Sequence, residues 1–368
     1  MAGWRCGGRG CACARRGGGA FGGGIVAEPR LVSIGRAVPR RRYTQEELHQ
    51  LNPWPDTPLL DRLFLASPIQ SRGLFVPPTF YSQPRTLTES NDAWRRGAVA
   101  LAGEALARAL AGGGLSPEAI DLVGVTTVTG YATPGLDLLL ARDHGLRSDL
   151  QRLHLNCIGC HAAIPLLRSV ADHVARRPRT TGIALAVEIC SACFAPRPEP
   201  QNLVALSLFG DGAACAVVST EGPGPVIVDF ESRFDLEHID ALGFDLHTTG
   251  FSIVLDASIP DRIAQHVGAA VDALLSRNHL SRADVAAWCL HPGGSRVLDA
   301  VGRALALTED QLQPSRRVLR SHGNMSSPSV LFVLADVLAG APLPDGAPIV
   351  LAAFGPGLGI ETALLRAR

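Results

Sequence analysis

The chain has 368 residues, 46% of them apolar, and its 34 basic residues are balanced by 34 acidic ones. That length suits one large domain or two fused ones, and zero net charge argues against nucleic acid or an acidic membrane surface as a partner. Every basic residue is an arginine, which excludes Schiff-base, pyridoxal phosphate and P-loop lysine chemistry.

Residues 1–24 are rich in Gly, Arg and Cys and lack the apolar core of a signal peptide. They read as a disordered extension. No run of 18 apolar residues follows, so no membrane span and a cytoplasmic location are expected. A strand over 31–37 leads to a helix over 44–51, and 53–83 is proline-rich and irregular. A helix over 92–110 places Ala98, Leu101, Ala102, Ala105, Leu106 and Leu110 on one face. A buried strand at 120–127, a loop at 130–135 and a helix at 136–144 lead to a strand around Leu153 and Leu155. This strand runs into Asn156-Cys157-Ile158-Gly159-Cys160, after which Ala162, Ala163, Leu166, Leu167, Val170 and Val174 take up helical spacing. The strand at 181–189 is apolar without alternation, as in a sheet covered on both faces. A Phe209-Gly210-Asp211-Gly212 turn precedes a strand at 214–218.

The order then repeats. A helix at 263–275 leads to a strand at 284–290 that ends in His291-Pro292-Gly293-Gly294. Next come a helix at 295–305, the turn Gly323-Asn324-Met325-Ser326-Ser327, a helix at 329–338, and strands at 348–354 and 360–365. The segments Leu115-Ser116-Pro117-Glu118-Ala119-Ile120 and Leu280-Ser281-Arg282-Ala283-Asp284-Val285, 165 residues apart, hold matching places between helix and strand. Together these features imply a duplicated α/β chain with halves at 25–222 and 223–368. The sheet should be mixed and mostly parallel, with sites at strand C-terminal ends.

Of nine cysteines, Cys6, Cys11 and Cys13 fall in the extension. Cys157/Cys160 and Cys190/Cys193 form two CxxC pairs, but a 29-residue gap holding a helix and a strand separates them, which argues against a zinc ribbon. Cys160 stands where a strand gives way to a helix. Free N–H groups and the helix dipole favour a thiolate there, and Gly159 permits a tight turn. A free buried cysteine is ordinarily inert, an isolated HPGG is ordinarily a turn, and an isolated GNMSS is ordinarily a helix cap. Cys160, His291 and Asn324 together, each at a glycine-flanked junction, are a different matter. A thiol with an imidazole and an amide forms a nucleophile with two donors for a developing oxyanion or enolate.

These motifs resemble the type III polyketide synthases, the chalcone-synthase-like branch of the thiolase fold. The resemblance runs from about Leu31 to Leu365 through Thr129-Gly130, Pro134-Gly135, Gly159-Cys160, Leu208-Phe209-Gly210-Asp211-Gly212-Ala213-Ala214, His291-Pro292-Gly293-Gly294, Gly323-Asn324-Met325-Ser326-Ser327 and Phe354-Gly355-Pro356-Gly357. It implies an α/β, thiolase-like duplicated αβαβα layered fold and a homodimer. Cys160 is then the acyl acceptor for an acyl-CoA starter, and His291 and Asn324 polarise malonyl-CoA for decarboxylation. Repeated condensation ends in cyclisation. Phe209 matches the aromatic gatekeeper, Gly293 and Gly294 the substrate-binding turn, and no metal or redox cofactor is implied.

The segment 242–251 resembles bacterial members. Ile253 stands where plant enzymes have a second gatekeeper phenylalanine, Phe244 where they have glycine, Cys193 where they have a cavity threonine, and Thr133 where they have an interface methionine. These departures point away from an aromatic starter and towards a fatty acyl-CoA giving alkylpyrones or alkylresorcinols. Arg72 is the candidate cation for the CoA phosphates. His161 is expected to be packed or hydrogen-bonded, and Cys157 to be a wall residue. Two other readings remain: a 3-oxoacyl-carrier-protein synthase III that condenses once, with a carrier protein as partner, and a catalytically silent acyl-binding subunit. Product length separates the first, and the intact Cys160, His291 and Asn324 set argues against the second.

Overall fold

A computed structural model describes residues 27–368 except 55, 56, 84 and 196. The extension at 1–24, with its three cysteines, lies outside the described residues. The N-terminal half runs through β1 (Arg30–Ala37), β2 (Arg42–Thr44), α1 (Gln45–Gln50), α2 (Pro58–Phe64), β3 (Ser71–Gly73), α3 (Leu87–Gly113) and β4 (Leu122–Thr126). It continues through α4 (Leu136–His144), β5 (Gln151–His154), α5 (Ala163–Arg176), β6 (Thr181–Glu188), α6 (Cys190–Cys193), α7 (Pro200–Leu208) and β7 (Gly212–Ser219). The C-terminal half holds β8 (Val226–Phe234), β9 (Leu242–His247), β10 (Gly250–Leu255), α8 (Ile259–Arg277), β11 (Ala287–Leu290) and α9 (Ser295–Leu305). It closes with α10 (Glu309–His322), α11 (Ser329–Leu338), β12 (Pro348–Gly355) and β13 (Gly359–Arg366).

Nine strands join in the order β11-β12-β13-β8-β1-β7-β6-β4-β5. Only β11–β12, β4–β6 and β4–β5 are parallel, and the other pairs are antiparallel. The sheet is therefore mixed as expected, but mostly antiparallel rather than mostly parallel. The cause lies in the first and last strands of each half, which enter antiparallel to their neighbours. The tight Gly355–Gly359 connection also makes β12 and β13 a hairpin. The duplication is visible in the strand senses. The run β1, β7, β6, β4 is matched by β8, β13, β12, β11 with the same alternation, and the halves meet at Arg30↔Val226.

Side-chain alternation explains the layers. In β6, Ala184 and Ala186 face α5 and α11, while Ile183, Leu185 and Val187 face α3 and α4. In β12, Ile349, Leu351 and Ala353 face α5 and α11, while Val350, Ala352 and Phe354 face α8 and α9. The two halves of the sheet thus enclose one shared layer, α5 with α11, and each is covered outside by its own helices. This is the αβαβα arrangement. No helix among the described residues is long and apolar enough to cross a membrane.

Helices at 136–144, 295–305 and 329–338 fall where the sequence places them. The long helix begins earlier, at Leu87, because Thr86 and Glu89 form a capping box. The span 53–83 is not wholly irregular: it holds α2, capped by Thr57, and β3.

Candidate active site

Three turns carry the chemistry. Cys160 lies between β5 and α5, two residues before the helix N-cap Ala162, in a turn closed by the Ala162 N–H donating to the Gly159 carbonyl at 3.0 Å. Gly159 has φ +88°, and a Cβ there would stand 2.6 Å from the Pro356 ring. Only glycine fits both conditions. The Cys160 thiol is buried, and burial pushes it up to about 12. The Glu188 charge adds to this, while the nearby Ser326 and Asn324 side chains draw it down. Burial thus opposes the thiolate that the helix terminus favours, and the dipoles near the sulfur offset part of that cost.

His291 follows β11, and its N–H donates to the Ala352 carbonyl at 2.8 Å, extending the parallel ladder by one residue. Its side chain is buried and pushed down to about 3, first by burial and then by the neighbouring His161. The imidazole is neutral near pH 7, so it can donate one N–H and accept at its other nitrogen.

Asn324 is held by its backbone against the gatekeeper. Its N–H donates to Leu208 O and its carbonyl accepts from Gly210 N–H, both at 3.0 Å, so it brackets Phe209. The Ser326 N–H donates to Asn324 Oδ1 at 2.8 Å, which leaves Nδ2 as the free donor group. Nδ2 reaches the Gly293 carbonyl at 3.4 Å, two residues from His291. Cys160, His291 and Asn324 thus converge from both halves.

The chamber beside Cys160 is apolar. Cys160, Cys190, Cys193, Phe194, Phe209 and Ile253 form one buried cluster, with Phe244 packed at its edge. The rings of Phe194 and Phe209 are 5.4 Å apart, and those of Phe194 and Phe244 6.1 Å. The structure therefore places Phe209, Cys193, Phe244 and Ile253 around the nucleophile. Cys193 turns its thiol towards the Cys190 carbonyl at 3.3 Å. Cys190 was read in the sequence only as half of a CxxC pair and Phe194 not at all; the signal for both as chamber residues was that spacing running into an aromatic residue.

Two readings need correction. Arg72 is not at a tunnel mouth. It is 1% exposed, and it donates to Gln45 Oε1 at 3.1 Å, to the Leu206 carbonyl at 2.7 Å and to the Phe209 carbonyl. Burial lowers its pKa to about 10. It fixes the gatekeeper's backbone with its guanidinium turned away from the surface. An outer groove instead carries Arg62 and Arg296, with Gly293 and Gly294 in its wall. Cys157 is exposed, with φ +64°, and is not a chamber wall. His161 is packed as expected: a Cβ on Gly355 or Gly359 would lie 1.9 or 2.6 Å from its ring nitrogens.

A buried thiol, a neutral imidazole and an oriented amide around an apolar chamber, on a duplicated αβαβα fold, suit a carbon–carbon condensing enzyme. The chain belongs to the chalcone and stilbene synthases, the type III polyketide synthases. The family's N-terminal domain matches residues 77–223 and its C-terminal domain residues 236–368. The chain is 37% identical to 1,3,6,8-tetrahydroxynaphthalene synthase of Streptomyces peucetius subsp. caesius, over 91% of this chain and 92% of that one. It is 35% identical to 3,5-dihydroxyphenylacetyl-CoA synthase of Streptomyces toyocaensis, over 92% and 90%. The crystal structure of 1,3,6,8-tetrahydroxynaphthalene synthase from Streptomyces coelicolor A3(2) superposes with a TM-score of 0.87 at 26% identity, covering 92% of this chain and 99% of that one.

Proposed function

We propose that this chain loads an acyl group from an acyl-CoA onto Cys160 and extends it by repeated decarboxylative condensation with malonyl-CoA before cyclisation. The observation that carries this reading is Asn324: its amide is oriented by the Ser326 N–H and turns Nδ2 towards the His291-Pro292-Gly293 turn, 3.4 Å from the Gly293 carbonyl.

In loading, Cys160 attacks the starter thioester. Its proton passes to the neutral His291 and on to the departing CoA thiolate, leaving an acyl-cysteine and free CoA–SH. His291 N–H and Asn324 Nδ2–H then hold the malonyl thioester oxygen. Loss of CO₂ places the enolate charge on that oxygen, and the enolate carbon attacks the Cys160 thioester. The extended chain returns to Cys160, and the cycle repeats. CoA enters along the groove of Gly293 and Gly294, with Arg62 and Arg296 for its phosphates. The path uses no metal or redox cofactor and no carrier protein. The enzyme acts in the cytoplasm as a homodimer, for which the exposed Tyr131 and Leu138 supply apolar surface.

The relatives' products are rings hydroxylated at alternate carbons, the pattern left by joining two-carbon units head to tail. This favours a polyhydroxylated aromatic product. A fatty acyl starter giving an alkylpyrone or alkylresorcinol is the second reading. In its favour is the apolar lining of a narrow cleft behind Phe209 and Phe194, formed also by Leu48, Leu74 and Cys190, although its volume of about 30 Å³ requires these side chains to move before an alkyl chain can enter. Mass spectrometry of products from malonyl-CoA alone, and with starters from acetyl to long-chain and aromatic, decides between them. Cyclised tri- to pentaketides support the synthase. A single β-ketoacyl product would instead indicate the one-step condensing enzyme, and no product with any starter the silent subunit.

A further inference from the structure

Glu188, the last residue of β6, is fully buried and not used by the chemistry above. Five donors converge on its carboxyl group. Oε2 accepts from the backbone N–H groups of Val128 at 3.0 Å and Thr129 at 3.1 Å, and from the hydroxyls of Thr129 at 2.8 Å and Thr127 at 3.2 Å. Oε1 accepts from the Ser327 hydroxyl at 2.7 Å. The Thr129 oxygen also receives the Ile189 N–H at 3.0 Å, which directs its own proton to Glu188. Two of the five donors are backbone N–H groups and cannot reverse. Burial raises the Glu188 pKa and each of these bonds draws it back; an acceptor-only carboxylate matches the donor set without conflict.

The partners come from different halves of the molecule. Thr127, Val128 and Thr129 follow β4, and Ser327 belongs to the turn that carries Asn324. We propose that Glu188 is a positioning residue: it ties the Asn324 turn to the nucleophile's half of the chamber and sets a negative charge behind the chamber wall, two residues from Cys190. The assignment rests on the Proposed function only in that Asn324 serves decarboxylation. The same charge raises the thiols of Cys160, Cys190 and Cys193. Asp211 also raises Cys190 and Cys193, Arg85 lowers Cys193, and Cys160 and Cys193 each raise Cys190.

Two substitutions separate the tie from the charge. Glu188→Gln can keep Oε1 on the two N–H groups and donate Nε2–H to Ser327 Oγ, so it retains the tie and removes the charge. Its Cys160 should react with iodoacetamide about tenfold faster at a given pH, a shift of about one pH unit in the profile read by peptide mass spectrometry. Ser327→Ala removes the tie alone. It should lower malonyl-CoA decarboxylation about tenfold through KM and kcat together, with the alkylation profile of Cys160 unchanged. A Glu188→Gln profile that superposes on the parent, or a Ser327→Ala protein that decarboxylates at the parent rate, overturns the assignment. The alkylation measurement needs no turnover. A parent protein that fails to decarboxylate malonyl-CoA therefore counts against the proposed function and leaves this test standing.

Discussion

At Cys160, burial and the dipoles of the helix terminus pull the thiol in opposite directions, burial pushing it up to about 12 and pushing the His291 imidazole down to about 3. A neutral His291 can donate N–H to a thioester oxygen. His291→Ala and Asn324→Ala should each lower malonyl-CoA decarboxylation by about 10²–10³, the usual loss when one oxyanion donor is removed. An assay of CO₂ release checks this, and an unchanged rate in either variant removes that residue from the role. The three residues were legible in the sequence because each is a polar side chain in a glycine-flanked turn, which is local information. Their pKa shifts were not. Desolvation by distant segments contributes to them, and a helix N-terminus read by itself points the other way.

Among the elements, α2 and the turn into α9 line the outer groove proposed for CoA, and β3 holds the backbone of Phe209 through Arg72. Arg62 and Arg296 face the outer groove, whereas Arg72 is turned inward onto the carbonyls flanking Phe209. Arg62→Ala or Arg296→Ala should raise KM for CoA thioesters about tenfold, the worth of one charge-assisted hydrogen bond, with kcat nearly unchanged. Arg72→Ala should act on stability instead, lowering it by roughly 2–4 kcal/mol as buried carbonyls lose their donor. Steady-state kinetics beside thermal melts distinguish the two. If Arg72→Ala raised KM without lowering the melting temperature, Arg72 would be returned to the entrance. The sequence could not separate these arginines, because Arg62 lies in a stretch whose prolines hide α2. The segment 309–322 was equally opaque: Pro314 and a dense run of charge argue against a helix, although the Thr308–Gln311 capping box that starts α10 was there to be read. Strong apolar periodicity made α4, α9 and α11 plain. Strand direction left no local trace except the short glycine turn between β12 and β13.

The whole molecule is two copies of one strand order closed around α5 and α11, and each half supplies only part of the site. Cys160 precedes α5, and Asn324 precedes α11, its counterpart in the duplication. Burying the site between the halves also makes the fold sensitive to acid at particular groups. His161 is pushed down to about 4 by burial, from an ordinary 6.5. The unfolded chain takes up that proton first as pH falls below about 6.5, so the stability from the buried neutral ring is lost progressively towards pH 4. At pH 5 the loss is about 2 kcal/mol. His161→Phe removes this contribution while leaving all other titrating groups in place. Its melting temperature should therefore fall less between pH 7.5 and pH 5 than that of the parent; an equal fall would show that the ring titrates normally.

The division of labour across the two halves is tested most directly by Cys160→Ala, assayed for CO₂ release and for product on the same sample of folded protein with malonyl-CoA and its best starter. The account predicts that no extended product forms, while CO₂ release continues because His291 and Asn324 still hold the enolate oxygen. Polyketide formed by Cys160→Ala would contradict it, as another group would then be carrying the growing chain.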